Sequence, residues 1–131
     1  MKRILCLLFA VLLLTLCACG GKTGDARVTV GESSLYGRED LLDAADAVLD
    51  DFEKGFEHCS LLRVEYSESH TLRERGRYGD EDVVVFLADF HVGLRALAVG
   101  PLIPGQNCSN YQFILVRDHW GGWKVQDKGY G

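Results

Sequence analysis

Apolar positions along this chain fall into five patterns: an unbroken run, a helical repeat, two single strands and a hairpin. Residues 4–16 form an unbroken apolar run apart from Cys6 and Thr15. Over residues 38–56 the apolar positions Leu41, Ala45, Val48, Leu49, Phe52 and Phe56 recur three to four residues apart, which predicts an amphipathic helix. Glu39 and Asp40 suit the positive end of its dipole, and Gly37 serves as a weak N-cap. Residues 61–66 alternate, which predicts a strand with Leu62, Val64 and Tyr66 turned inward. Residues 82–92 are apolar on both faces at one end: Val84, Phe86, Ala88, Phe90 and Val92 on one side, Val83, Val85 and Leu87 on the other. Such a strand is central in its sheet. Residues 111–118 and 123–127 predict a hairpin about the turn His119-Trp120-Gly121-Gly122. Between these elements, residues 70–80 are polar and read as a loop or short helical turn. Residues 93–110 carry Pro101 and Pro104 and read as a long loop, and 28–36 as an extended lead-in.

The first run is too short to cross a bilayer, which takes roughly twenty apolar residues. A basic start, Met1-Lys2-Arg3, followed by a short apolar run and small residues, is the form of a secretory signal. Leu16-Cys17-Ala18-Cys19 resembles the lipobox of bacterial lipoproteins, in which the signal is cut before the cysteine and the thiol carries a diacylglycerol. Cys17 stands where alanine or serine is usual in that pattern. The resemblance implies lipidation of Cys19, and a diacylglyceryl group supplies the two chains that stable anchoring needs. Gly21-Lys22-Thr23 has the tail of a phosphate-binding loop, but Leu16 occupies the position of its first glycine. Cys17 and Cys19 are too close for a zinc knuckle.

Composition then bounds the rest. The chain has 131 residues and a net charge of -5. Loss of residues 1–18 removes Lys2 and Arg3 and leaves 12 basic against 19 acidic residues, a net -7. That balance argues against a nucleic-acid partner. The expected organisation is a signal peptide over 1–18, a lipidated cysteine and flexible tether over 19–34, and a single domain over 35–131. The expected fold is α+β, one long N-terminal helix packed on a curved antiparallel sheet of about four strands. Of the five cysteines, Cys59 and Cys108 remain once the signal is gone and Cys19 is acylated. They are either a disulfide, in a compartment where bridges persist, or two free thiols.

Three stretches, "LYGREDLLDAADAVLDDFEKGFEHCSL", "DVVVFLADFHV" and "FILVRDHWGGWKVQDKGYG", resemble a family of small uncharacterised lipoprotein domains from Gram-positive gut bacteria. That family is similar to cystatin-like cone folds, the architecture of nuclear transport factor and ketosteroid isomerase. Tyr111 and Phe113 stand where tryptophans are frequent in the family, and Cys108 is an addition. The resemblance implies a cone fold and carries no activity or functional residues.

Candidate chemistry is sparse. Asp89 and His91 share a strand face, the arrangement of a carboxylate that orients a general base; the alternative is a polar sheet face. Arg73, Arg75 and Arg77 form a basic cluster balanced by Glu74, Asp80, Glu81 and Asp82. Asp43, Asp46 and Asp50 lie on the solvated side of the helix, with no calcium-type ligand loop after them. His58 precedes Cys59, but neighbours on an extended chain point to opposite faces. The histidines lack metal-ligand spacing, and no cofactor or metal is called for. Trp120, Trp123, Tyr111, Tyr130 and Phe113 gather near the final hairpin, and Trp120 in its turn is the one expected to be exposed, a candidate aromatic contact. The expected function is a binding or interaction module, lipid-anchored on the extracytoplasmic face of the cell membrane. The alternative is a small-molecule sensor or enzyme with a pocket between helix and sheet. It would need polar groups among Phe52, Phe86, Phe90 and Trp123, where the pattern places none.

Overall fold

The computed structural model describes residues 20–79, 82–96 and 102–130. The signal segment and Cys19 lie outside the described residues. The described residues form five strands and two helices in a mixed α+β arrangement. They are β1 (Arg27–Thr29), α1 (Arg38–Gly55), β2 (Cys59–Tyr66), α2 (Glu68–Arg77), β3 (Val83–Val92), β4 (Asn107–Arg117) and β5 (Trp123–Gly129). The strands make one sheet in sequence order, with β1 parallel to β2 and every other pair antiparallel.

Helix α1 forms where its periodicity predicts, and Leu41, Ala44, Ala45, Val48 and Phe52 are the side it buries. It packs on the sheet face made by Val64, Val84, Phe86, Ala88, Phe90, Phe113 and Leu115, which are completely or almost completely buried. Phe52 stacks on Phe56 at 4.6 Å, and both rings meet Phe90 edge-on at 5.5 and 5.3 Å. Strand β3 is central, as its two apolar faces predict.

Three expectations fail, each for a physical reason. The polar stretch after β2 is a ten-residue helix, α2, on the opposite sheet face. Tyr78, just after it, packs on a small second core of Val83, Val85, Ile114 and Val116, and the Thr71 hydroxyl accepts from the Val85 N–H at 3.0 Å. Its buried side carries Thr71 and Glu74 rather than an apolar stripe, so periodicity could not reveal it.

Leu61, not Leu62, is buried. A β-bulge skips Leu62, so that Leu61 pairs with Phe90 and Arg63 with Asp89, and the alternation shifts by one residue.

The third failure concerns the segment expected to be a tether. Gly21 N–H donates to Glu53 O at 3.0 Å, Lys22 N–H to Cys59 O at 2.9 Å, and Leu61 N–H to Lys22 O at 2.8 Å. Beyond it β1 pairs in parallel with β2, so the sheet has five strands and is mixed rather than the antiparallel sheet of about four expected, and Val30 is buried. Unpaired backbone at the edge of β2 is satisfied by this segment, which fixes it to the body.

All strands and α1 run between two ends of the molecule. At the base lie the end of α1, the starts of β2 and β4, the end of β3 and the incoming Gly20. At the tip lie the start of α1, the start of β3 and the β4–β5 turn.

Candidate functional site

On the sheet face that α1 does not cover, α2 and strands β4 and β5 leave a cleft of about 190 Å³. Arg73, Glu74, Gln112, Asp127, Lys128 and Tyr130 contribute to its lining. Glu74 and Gln112 are buried beneath it, 5% and 8% exposed. Glu74 is there because α2 puts Thr71 and Glu74, three residues apart, on its sheet side. Its Oε2 has no hydrogen-bond partner. Arg77 Nη1 comes within 3.4 Å of that oxygen, close enough for attraction but without hydrogen-bond geometry. A buried acceptor left without a donor costs about 1–3 kcal/mol. The arrangement can thus accept from a donor, with the cations Arg73 and Arg77 beside it.

Asp89 and His91 are not brought together as a catalytic pair. Arg63 grips Asp89 with Nε at 2.7 Å and Nη2 at 3.2 Å, and Asn110 N–H donates to the same carboxylate at 2.9 Å. Arg63 therefore holds the Asp89 carboxyl below the usual carboxylate range, against the opposing effect of burial. The His91 imidazole instead meets Asn107 Oδ1 through Nδ1 at 2.7 Å. The carboxylate is committed to a guanidinium, and no base–orienter pair exists here.

Cys59 and Cys108 are free and buried. Cys59 pairs with Val92 and Cys108 with Phe90, on opposite edges of β3. Two strand spacings, about 9.5 Å, separate their backbones. A bridge needs Cα atoms within about 7 Å, so the disulfide considered from the sequence is excluded by the intervening strand.

Trp120 is 95% exposed at the tip. Asp118 Oδ1 accepts from Trp120 N–H at 2.8 Å and Gly122 N–H at 2.9 Å, and Gly121 takes the positive φ the turn requires. Behind it the tip is closed by polar pairing. Arg117 forks onto Asp40, Trp123 Nε1 donates to Asp40 Oδ1 at 3.0 Å, and the guanidinium lies 4.0 Å from the Trp123 ring centre. Among Arg73, Arg75 and Arg77, only Arg73 and Arg77 border the cleft.

Sequence reasoning missed Glu74 as a site residue, because it read the residue as charge balance in a loop. The signal present was Ser67, whose hydroxyl caps α2 by accepting from His70 N–H at 3.5 Å. Among the described residues no group of three His, Cys, Asp or Glu side chains is placed to hold a metal ion. No family model, curated protein or solved structure matches the chain.

Proposed function

We propose that this chain is a lipid-anchored extracytoplasmic binding module that takes a small polar ligand in the cleft between α2 and strands β4 and β5. The observation that carries the reading is the buried Glu74 carboxylate with an oxygen awaiting a donor. A ligand with an ammonium, amide or hydroxyl donor satisfies Glu74, and an anionic group on the same ligand meets Arg73 and Arg77. The lipobox at Leu16–Cys19 supports the anchor, with acylation at Cys19. The wholly apolar, buried contact between α1 and the sheet supports a binding surface over an internal catalytic chamber. Helix α1 across one sheet face, with bulges in the β2–β3, β3–β4 and β4–β5 ladders that bend the strands, supports a cystatin-like cone.

Two measurements test this. Labelled fatty acid enters the wild-type chain in a bacterial host and not Cys19→Ala; incorporation that survives Cys19→Ala and is lost in Cys17→Ala moves the anchor. Amino acids, amino sugars and short peptides are then screened by thermal shift. A fitting ligand at about 100 times its Kd stabilises the wild type by about 2.7 kcal/mol and has little effect on Glu74→Gln. Equal shifts in both proteins sink the cleft.

A further inference from the structure

We propose that the base of the domain lies directly against the lipid surface, with Leu94 and Ile103 as its contact residues. The proposal rests on the acylation of Cys19 and adds an orientation to it.

The geometry ties the attachment point closely to the base. Cys19 Cα lies about 3.8 Å from Gly20 Cα, and Gly20 has no slack of its own. A Cβ on Gly20 would sit 2.2 Å from Glu53 O, and one on Gly21 2.5 Å from Phe52 O. Gly21 and Lys22 are hydrogen-bonded to the end of α1 and the start of β2. A flexible linker of ten residues would allow a reach of roughly 17 Å. Here an acyl group on Cys19 draws the base itself to the bilayer.

That end is also the one suited to the contact. Leu94 is 83% exposed and Ile103 61%. They belong to the two sides of the β3–β4 connection, which are joined by the Gly105 N–H to Val92 O bond at 2.7 Å. The Leu94 methyl lies 3.2 Å from where a Gly105 Cβ would be, so the two sides lie together. Beside them Gly20, Lys22, His58, Ser60 and Arg95 border a shallow depression. Neither Lys22 nor Arg95 forms an ion pair among the described residues. Two cations and two aliphatic side chains at the end where Gly20 enters match an anionic interface, where apolar insertion and charge attraction act together. Glu53, which accepts from Gly21 N–H through its carbonyl and from Thr23 through its carboxylate, and Glu57, next to His58, oppose the two cations, so the aliphatic pair carries the contact. The rest of the strongly acidic surface is repelled by the same lipid, which favours this posture over a domain lying on its side.

The test uses the full acylated chain in vesicles of equimolar phosphatidylglycerol and phosphatidylethanolamine. A thiol-reactive, environment-sensitive dye is placed on Leu94→Cys, Ile103→Cys or Trp120→Cys, the native Cys59 and Cys108 being buried. Lipid spin-labelled near the headgroup is expected to quench the dye several-fold more at positions 94 and 103 than at 120. Equal, weak quenching at all three positions of acylated, vesicle-bound protein overturns the docking face and leaves the anchor standing. Protein without fatty acid that stays off the vesicles overturns the anchor and the docking face together. Protection of position 94 in cell envelopes but not in pure lipid assigns the surface to a protein partner, which also overturns the proposal.

Discussion

The base and the tip close the same layered core by opposite means. At the tip, polar groups satisfy one another. Arg117 serves Asp40, Asp82 and the Gly121 carbonyl, Trp123 serves Asp40, and Tyr36 donates to Val83 O at 3.1 Å. Trp120 stands out from this arrangement, held by a turn rather than by packing. At the base, closure is by close contact of backbone with backbone and ring: Gly20 and Gly21 fit where no side chain would, and Leu94 and Ile103 remain uncovered. A tip built from charge pairs responds to pH, and a base built from steric fit responds to a single added methyl group.

The largest expected effect breaks the base. Gly21→Ala places a methyl group 2.5 Å from Phe52 O and 2.8 Å from its ring, which forces backbone to move and costs about 1–3 kcal/mol. Gly24→Ala meets nothing within 4 Å and leaves the melting temperature unchanged or slightly raised. Equal melting temperatures for the two variants, by calorimetry, would show that the glycine contact is not a constraint. Next comes the tip. Arg117→Met removes the fork on Asp40, and because that pair is part-exposed the loss is about 1 kcal/mol. Arg117 is the main reason the Asp40 carboxyl is held below its ordinary value. A folded pKa lower than the unfolded one gives stability that is complete above the unfolded value, near ~3.9, and is lost as the pH falls through the lower folded value. Denaturant melts across the acid range should therefore show a smaller acid-induced loss in Arg117→Met than in wild type. The smallest effect belongs to Trp120→Ala, which should stay within about 0.5 kcal/mol; a larger change in chemical denaturation would mean that the ring packs on something.

Much of the core was legible because its periodicity is local. Helix α1 needs only its own stripe from Leu41 to Phe52, and β3 only its two apolar faces. What escaped depends on distant chain. Strand β1 is three residues, all exposed, that pair in parallel with β2 far along the sequence. The inward position of Leu61 follows from a bulge set by the partner strand. Helix α2 is held by a cap at Ser67 and by contacts of Thr71 and Glu74, polar residues that carry no hydrophobic signal. The cleft inherits that difficulty, since Glu74 belongs to α2 and its other walls come from β4 and β5. Asp89 and His91 were correctly placed on one strand face. Their partners, Arg63 and Asn107, lie on the strands to either side, which no spacing along β3 encodes.

The separation of Cys59 and Cys108 by β3 has a kinetic consequence. Burial pushes the Cys59 thiol pKa up, so little reactive thiolate is present while the fold is closed. Both sulfurs lie in the core beneath α1, so each becomes accessible only when the packing around it opens. Alkylation rates under native conditions thus act as internal clocks of local opening, Cys59 reporting on the start of β2 and Cys108 on the start of β4. Because the thiols do not pair with each other, both can be read in the same chain.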